Sequence, residues 1–269
     1  MAEHASDRTG HPLRFLGALL RTTLAANLAL RGAFWLQAAL MAVNNLVFFT
    51  VWWIFFDAFE EVRGWRLGDM ALLYGLVATA FGGVVVFAGG VRDLALRISE
   101  GELDALLVQP RSVLVQAIGS RSFASGWGDM LSGLGLIAFS GLISWQALFT
   151  VPLAVLISAS VFCSTGVLLG CSAFWLGRTD VLARQLFEYL VTFSLYPAPI
   201  FGGGLRVVLY TLVPAGFIAH LPVELVRDFE PGTASLALGG AAVYAALAVV
   251  CFRRGLATYA SGSRFAGRI

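Results

Sequence analysis

The sequence contains no lysine, since all 18 of its basic residues are arginine. Without lysine the chain cannot form the Gly-x-x-x-x-Gly-Lys-Ser/Thr loop that cradles nucleotide phosphates, which excludes a P-loop ATPase. Charge of either sign is also scarce, because only 13% of the residues are charged, whereas soluble domains carry about 25%. The composition therefore excludes a sizeable water-soluble domain.

Residues that bind metals or form disulfides are few as well. The three cysteines lie in apolar runs, are odd in number and lack metal-ligand spacing, which argues against a disulfide or zinc framework. They are Cys163, Cys171 and Cys251. The three histidines are scattered along the chain and give no cluster for catalysis. We predict no catalytic residue and no metal site.

Apolar residues are abundant, at 58% of the chain. A bilayer core of about 30 Å needs roughly 20 apolar residues per helix, and several runs approach this length. The sequence therefore predicts an all-α integral membrane protein with six transmembrane helices. Their predicted positions are 33–56, 70–91, 127–145, 152–176, 184–201 and 234–252.

Two further apolar segments are not predicted to cross the membrane. Within 13–28, leucines recur at helical spacing while Arg14 and Arg21 share another face, which predicts an amphipathic helix in the membrane interface. The alternative is that this helix extends the first span inward. Residues 202–230 are interrupted by glycine and proline, and their apolar part, 207–219, is too short to span. This pattern predicts short re-entrant or interfacial helices before the last span.

One face of the fourth span consists almost entirely of small residues. They are Gly166, Gly170, Ala173 and Gly177. Small residues let helix backbones approach closely in lipid. The stripe is compatible with packing inside the chain and with a subunit interface.

The arginines are distributed unevenly between the two sides of this topology. Fourteen of the 18 fall on the side of the two termini. By the positive-inside rule both termini are cytoplasmic. We therefore divide the chain into a cytoplasmic tail with the interfacial helix (1–32), a six-helix transmembrane domain (33–252) and a cytoplasmic tail (253–269). The middle part includes a cytoplasmic loop at 92–112 and the re-entrant region at 202–230.

The loop "RDLALRISEGELDALLVQPRS", 92–112, is a dense run of charge in an apolar chain. Ser99 followed three residues later by Glu102 is typical of a capping box at a helix start, and Pro110 is a stop signal. The pattern predicts a helix of roughly ten residues with a leucine ridge formed by Leu103, Leu106 and Leu107. Such a ridge suits a protein partner, although it can also pack back on its own bundle.

Four segments together resemble the membrane subunits of type-2 ATP-binding-cassette exporters. They are "EGELDALLVQP", "FWLGR", "YPAPIFGGGLRVVLYTLVPAGFIAHLP" and "RRGLATYASGS". The first contains Gly-x-Leu-Asp-x-x-Leu-x-x-Pro (101–110), which is similar to one bacterial branch of these exporters. The last contains Arg-x-Gly-Leu-x-x-Tyr (253–259). The resemblance covers most of the chain from about residue 13.

The resemblance implies a permease subunit of an ATP-driven exporter in the bacterial cytoplasmic (inner) membrane. It implies outward movement of an amphiphilic or lipid-like substrate by alternating access. The chain would be no enzyme, because ATP and Mg bind a separate ATPase present in two copies. The other partners would be a second permease, identical or related, and the lipid bilayer, with no nucleic acid. Residues implied to contact the ATPase are Glu100, Gly101, Glu102, Leu103, Asp104, Leu107 and Pro110.

In the resembled fold, the first, second and fifth spans line the substrate path. Candidate path residues are Asn44, Asn45, Phe48, Phe49 and Phe193. The alternative functions are an ion-coupled secondary transporter or channel and a membrane-embedded lipid-modifying enzyme. Ion-coupled carriers keep ionisable groups at mid-membrane. Asp129 and Glu188 instead fall near the predicted span ends, which disfavours that class.

Overall fold

A computed structural model of the chain describes residues 12–142, 144–197, 200–202 and 204–259. Within these ranges the chain is helical, apart from turns and one isolated antiparallel bridge between Val62 and Trp65. The α-helices are α1 Pro12–Leu28, α2 Arg31–Ala58, α3 Leu67–Phe87, α4 Leu94–Ser99, α5 Asp104–Leu107, α6 Val113–Gly119, α7 Ser125–Phe139, α8 Ala147–Cys171, α9 Ala173–Leu176, α10 Asp180–Ser194, α11 Gly204–Thr211, α12 Leu221–Arg227 and α13 Pro231–Thr258. A 3-10 turn, Gly89–Asp93, precedes α4, and a π-helical turn, Gly216–His220, precedes α12.

Four of the described helical segments are long and apolar enough to cross a membrane: α2, α3, α8 with α9, and α13. The other two predicted spans correspond to α7 and α10, which have 15 residues each. Fifteen residues extend about 22 Å at 1.5 Å per residue, short of the hydrocarbon thickness of about 30 Å.

The predicted bounds of these two spans were wrong. The third was expected to reach residue 145, but α7 ends at Phe139 and Gly141 follows with φ +70°, a conformation that terminates helices. The fifth was expected over 184–201, but α10 begins earlier, at Asp180, and ends at Ser194. Pro197 follows shortly afterwards and is incompatible with a continuing helix.

Helix α3 forms the centre of the bundle and is buried along most of its length. It is apolar on all sides, as expected of a helix surrounded by other helices. Its closest neighbour is α7. A Cβ atom added to Gly82 of α3 would lie 2.5 Å from the Gly126 carbonyl oxygen, and one added to Gly75 would lie 2.7 Å from that of Gly133. The two backbones therefore meet at glycines seven residues apart on each helix, a packing mode typical of membrane bundles.

The small-residue stripe of the fourth span packs inside the chain. Gly166 faces Val91 and Phe187, and Gly170 faces Leu94. Gly177, with φ +75°, ends α9. The sequence left open whether the stripe packs inside the chain or forms a subunit interface. The described contacts favour packing inside the chain.

The N-terminal amphipathic helix is present as α1, and it contacts α2 and α6. The guanidinium of Arg111 lies 5.2 Å from the centre of the Phe15 ring, and a Cβ on Gly119 would lie 2.8 Å from Leu19. The first 11 residues of the predicted 1–32 tail lie outside the described residues. So do residues 260–269 of the predicted C-terminal tail.

The region predicted as re-entrant contains α11, the π-helical turn and α12, each too short to span a bilayer. His220 is buried, and its Nε2 atom lies 3.1 Å from the backbone oxygen of Tyr196. Arg227 of α12 forms an ion pair with Asp69 of α3 (3.1 Å), which also accepts a hydrogen bond from the Arg66 backbone N–H. These contacts attach the short helices to the central bundle.

Candidate functional site: the cavity and the 92–112 loop

The loop at 92–112 is folded differently from the single helix that its sequence predicted. Ser99 ends α4 instead of starting a helix, and its hydroxyl donates to the Leu96 carbonyl. Gly101 has φ +81°, and the Glu102 N–H donates to the Arg97 carbonyl at 3.0 Å, the geometry of a Schellman C-cap. The Ser99 and Glu102 spacing was therefore misread as a start signal. Only Asp104–Leu107 (α5) is helical after the turn.

The leucine ridge is also divided between two environments. Leu103 is fully buried in the core, so its side chain does not reach a partner on the loop surface. Leu107 is 46% exposed and Val108 is 84% exposed. Glu100 and Pro110 of the same loop are exposed as well. We call Glu100, Leu107, Val108 and Pro110 the loop edge. Val108 was missed by the sequence reasoning because it lies outside the predicted ridge.

Ion pairs fix the shape of the loop. Arg97 is only 6% exposed; its Nε donates to Glu102 at 2.8 Å, and its Nη1 donates to the Ala117 carbonyl and to Ser120 Oγ. Asp93 accepts from Arg121 and from Arg184 of α10, each at 2.8 Å. Glu102 is thus committed to an internal partner, and α10 is tied to the loop.

The loop, the end of the fourth span and the last helix meet at one place. The Phe174 ring lies 5.5 Å from the Phe252 ring and 6.0 Å from the Tyr259 ring, measured between centroids. Gly255 packs against Phe174 so closely that a Cβ would overlap the ring. Burial, followed by the influence of the neighbouring Asp104 carboxylate, raises the pKa of Tyr259 to about 12. We call Asp104, Phe174, Gly255 and Tyr259 the motif cluster.

A cavity of about 770 Å³ lies between α2, α3 and α10, with Asp129 of α7 also in its lining. Its walls are mainly aromatic and aliphatic. The aromatic lining residues are Phe48, Trp52, Phe55, Tyr74, Phe81 and Tyr196. This volume falls within the range of about 300–1,000 Å³ that is typical of small-molecule sites.

Three of the five predicted path residues line this cavity: Asn44, Asn45 and Phe48. Phe49 lies in the core, where its ring contacts those of Tyr74 and Phe139. Phe193 stands beside Phe201, with ring centroids 6.4 Å apart, and is not among the described residues that line the cavity. Helical rotation explains the Phe49 result, because consecutive residues point about 100° apart.

A buried polar cluster joins α2 to α7 beside the cavity. The Asn45 amide donates to Asp129 Oδ1 at 2.8 Å and to Ser132 Oγ at 2.9 Å. Asn45 is near the midpoint of α2, which runs from Arg31 to Ala58. Asp129 is the fifth residue of α7, near the start of that helix, as the sequence predicted, but it lies beside the middle of α2.

A second carboxylate, Glu188, lies in the cavity lining on α10. Arg92 Nη2 donates to Glu188 Oε1 at 2.9 Å, and the Arg92 guanidinium carbon lies 5.9 Å from the Phe81 ring centre. Arg92 thus connects the cavity to the start of the 92–112 loop. In the described ranges, no group of three or more His, Cys, Asp or Glu side chains is arranged to hold a metal ion.

Long apolar helices around a mostly nonpolar cavity define an integral, multi-pass membrane protein. Residues 40–263 match the family model described as "ABC-2 family transporter protein". The match covers most of the chain, which therefore belongs to the ABC-2 transporter family as a permease subunit of an ABC transporter. Permeases of this family are transport subunits that work with an ATPase partner. No curated protein and no solved structure matches the chain.

Proposed function

We propose that this chain is the permease subunit of an ATP-driven exporter that moves an amphiphilic or lipid-like substrate outward across the bacterial cytoplasmic membrane. The observation that carries the proposal is the cavity between α2, α3 and α10. These helices are the first, second and fifth spans of the proposed six-span topology. They are also the spans that line the path in the resembled exporters.

The six-span topology remains part of this proposal. With α7 and α10 as the third and fifth spans, the loop at 92–112 and both termini face the cytoplasm. The helices α7 and α10 are short, but α7 packs against α2 and α3, and α10 packs against α8 and the 3-10 turn. Irregular backbone at membrane depth is tolerated where protein or a water-filled cavity covers it. In this topology α11 and α12 form the re-entrant pair.

The loop edge is the surface on which we place the ATPase. It presents two exposed apolar side chains, Leu107 and Val108, and the exposed residues Glu100 and Pro110 of the same loop. ATP and Mg bind the ATPase, of which two copies act with two permeases, identical or related. Four other residues of the loop support this surface without forming it. Gly101 makes the turn, and Glu102 pairs with Arg97. Leu103 is buried in the core, and Asp104 lies beside Tyr259.

In this mechanism, ion pairs couple movement of the 92–112 loop to the cavity. Movement of the loop displaces Asp93 and Arg92, which hold Arg184 and Glu188 of α10. Helix α10 then moves relative to α3, and the cavity changes its access between the two sides of the membrane. Nucleotide shifts this equilibrium only through its different affinity for the two states.

The decisive experiment is a double substitution at the loop edge, Leu107→Asp with Val108→Asp. Both side chains are exposed, so the permease should fold, whereas two added negative charges should prevent docking of an apolar ATPase surface. We expect loss of ATPase co-purification and of transport. The matched control is Phe229→Asp, another exposed apolar residue, which lies on the other side of the membrane in the proposed topology. Retained co-purification and ATP-dependent transport in the double variant contradict the proposed docking site.

Asp129 supports one second candidate, an ion-coupled carrier, because it is a carboxylate that is only 3% exposed and lies beside the middle of α2. Transport in vesicles that contain the permease alone, compared with vesicles that contain the permease and the ATPase, separates the two candidates. Uptake that requires the ATPase and ATP and survives a protonophore supports the exporter. Uptake that is independent of ATP and collapses with a protonophore supports the carrier.

A further inference from the structure

The cavity combines aromatic walls with negative charge. Six aromatic side chains line it, and aromatic ring faces attract cations within about 6 Å of their centres. The described lining residues include two carboxylates, Asp129 and Glu188, and no arginine. The electrostatic character of the cavity therefore favours a positively charged ligand over a neutral or negative one of the same shape.

A cation belonging to the protein already occupies one edge of this environment. The Arg92 guanidinium forms an ion pair with Glu188 at 2.9 Å and lies 5.9 Å from the Phe81 ring centre. A planar, delocalised cation is thus bound between a carboxylate and an aromatic face. An organic cation with delocalised charge presents the same chemistry.

Asp129 lacks such a partner. It accepts a hydrogen bond from Asn45, but in the described ranges no basic side chain lies within 4 Å of its carboxylate. A buried carboxylate without a counter-charge is costly. A cation entering the cavity supplies this counter-charge, whereas an anion is repelled by it.

We propose that the cavity binds amphiphilic organic cations. The positive charge lies between Asp129 and Glu188, and the apolar groups contact the aromatic residues of α2 and α3. This inference specifies the substrate class of the exporter and rests on the proposed function only for the transport step. Arg92 is a resident competitor that neutralises Glu188 when the cavity holds no substrate.

The test compares two probes of nearly equal size and apolar surface, the cation tetraphenylphosphonium and the anion tetraphenylborate. Binding of each is measured by equilibrium dialysis with the purified permease–ATPase complex in a nonionic detergent, with protein-free micelles as blank. We expect the cation to bind at least about tenfold more tightly than the anion. Equal binding, or preference for the anion, overturns the proposal.

Substitutions locate the site and predict changes of opposite sign. Asp129→Asn and Glu188→Gln should each weaken cation binding about tenfold, because each removes one negative charge beside the ligand. Arg92→Gln should strengthen it several-fold, since it frees Glu188. A gain in affinity cannot arise from misfolding. Glu224→Gln, an exposed carboxylate of α12, is the control and should leave binding unchanged.

The outcomes for binding and for transport are separable. If the cation binds with these variant effects but ATP drives no export, the site stands and the exporter function fails. If ATP-driven export of some other amphiphile is found while the variants leave cation binding unchanged, the exporter stands and the cation site is wrong. Loss of affinity in Arg92→Gln also contradicts the proposed competition.

Discussion

Helices α3 and α10 are two walls of the same cavity, yet they are held in different ways. Helix α3 is buried and meets α7 at pairs of glycines, so its position depends on close backbone packing. Helix α10 is exposed along one side, buries Phe187 and Leu190 on the other, and joins the 92–112 loop through Arg184–Asp93 and Glu188–Arg92. Packed interfaces resist displacement, whereas partly exposed ion pairs are weak and can rearrange. We therefore expect α3 to be the fixed wall of the cavity and α10 the wall that responds to the loop.

The largest effect is expected from disrupting the fixed wall with Gly82→Leu. A Cβ at this position meets the Gly126 carbonyl at 2.5 Å, so the helices must separate. Overpacking of this kind costs about 3 kcal/mol or more, and we expect loss of monodisperse protein in size-exclusion chromatography. Gly83→Leu is the matched control, because a Cβ there meets nothing within 4 Å. Normal behaviour of Gly82→Leu would contradict the close α3–α7 contact.

A smaller loss of stability is expected from Arg97→Gln, which acts on the loop to which α10 is joined by ion pairs. The substitution removes the ion pair with Glu102 and hydrogen bonds to the Ala117 carbonyl and Ser120. Loss of these buried contacts should cost about 2 kcal/mol, since Glu102 itself is partly exposed. The measurement is thermal unfolding in detergent. The control is Arg66→Gln, whose exposed pair with Glu61 should contribute under about 1 kcal/mol.

The motif cluster predicts that the stability of the folded protein depends on pH in the alkaline range, through Tyr259. The pKa of Tyr259 is raised to about 12 from an ordinary value near 10, so the folded state holds the hydroxyl proton more tightly than the unfolded state. Its contribution to stability is therefore complete below about pH 10 and is lost as pH rises to about 12. Melting temperature should fall more steeply over this window in the wild type than in Tyr259→Phe. Parallel curves would show that the cluster does not hold this proton.

The smallest effect on stability, but a specific one on coupling, is expected from Arg184→Gln. Its guanidinium is 54% exposed, so the pair with Asp93 should contribute under about 1 kcal/mol. Because it connects α10 to the loop, the variant should bind the ATPase normally while ATP hydrolysis responds less to substrate. A purified complex provides both measurements. An unchanged substrate response would show that α10 does not follow the loop through this pair.

Much of the helical framework was predictable because long apolar runs leave few alternatives. The predicted first, second, fourth and sixth spans correspond to helices α2, α3, α8 with α9, and α13. The family membership inferred from the motifs agrees with the family match. The third and fifth spans were misplaced at their ends, where Gly141 and Pro197 terminate helices within runs that remain apolar.

The cavity site was less predictable, because it depends on how each helix is rotated about its axis and on which residues of neighbouring helices lie opposite each other. The sequence indicated Asn45 and Phe48 but not that Phe49 turns into the core or that Asp129 faces Asn45. In the loop, the Ser99 and Glu102 spacing fits both a helix start and a helix end. Gly101, positioned between them, carried the deciding information, because its positive φ is typical of a C-cap.

The motif cluster has a consequence for exchanging parts between relatives. Asp104, Phe174 and Gly255 come from three regions far apart in the chain: Gly255 packs against the Phe174 ring, and Asp104 lies beside Tyr259, which follows the last helix. A chimera that receives the last helix of another family member should therefore assemble best if 101–110 and 173–178 are taken from the same donor. For exchange between relatives, we expect these three segments to behave as one unit.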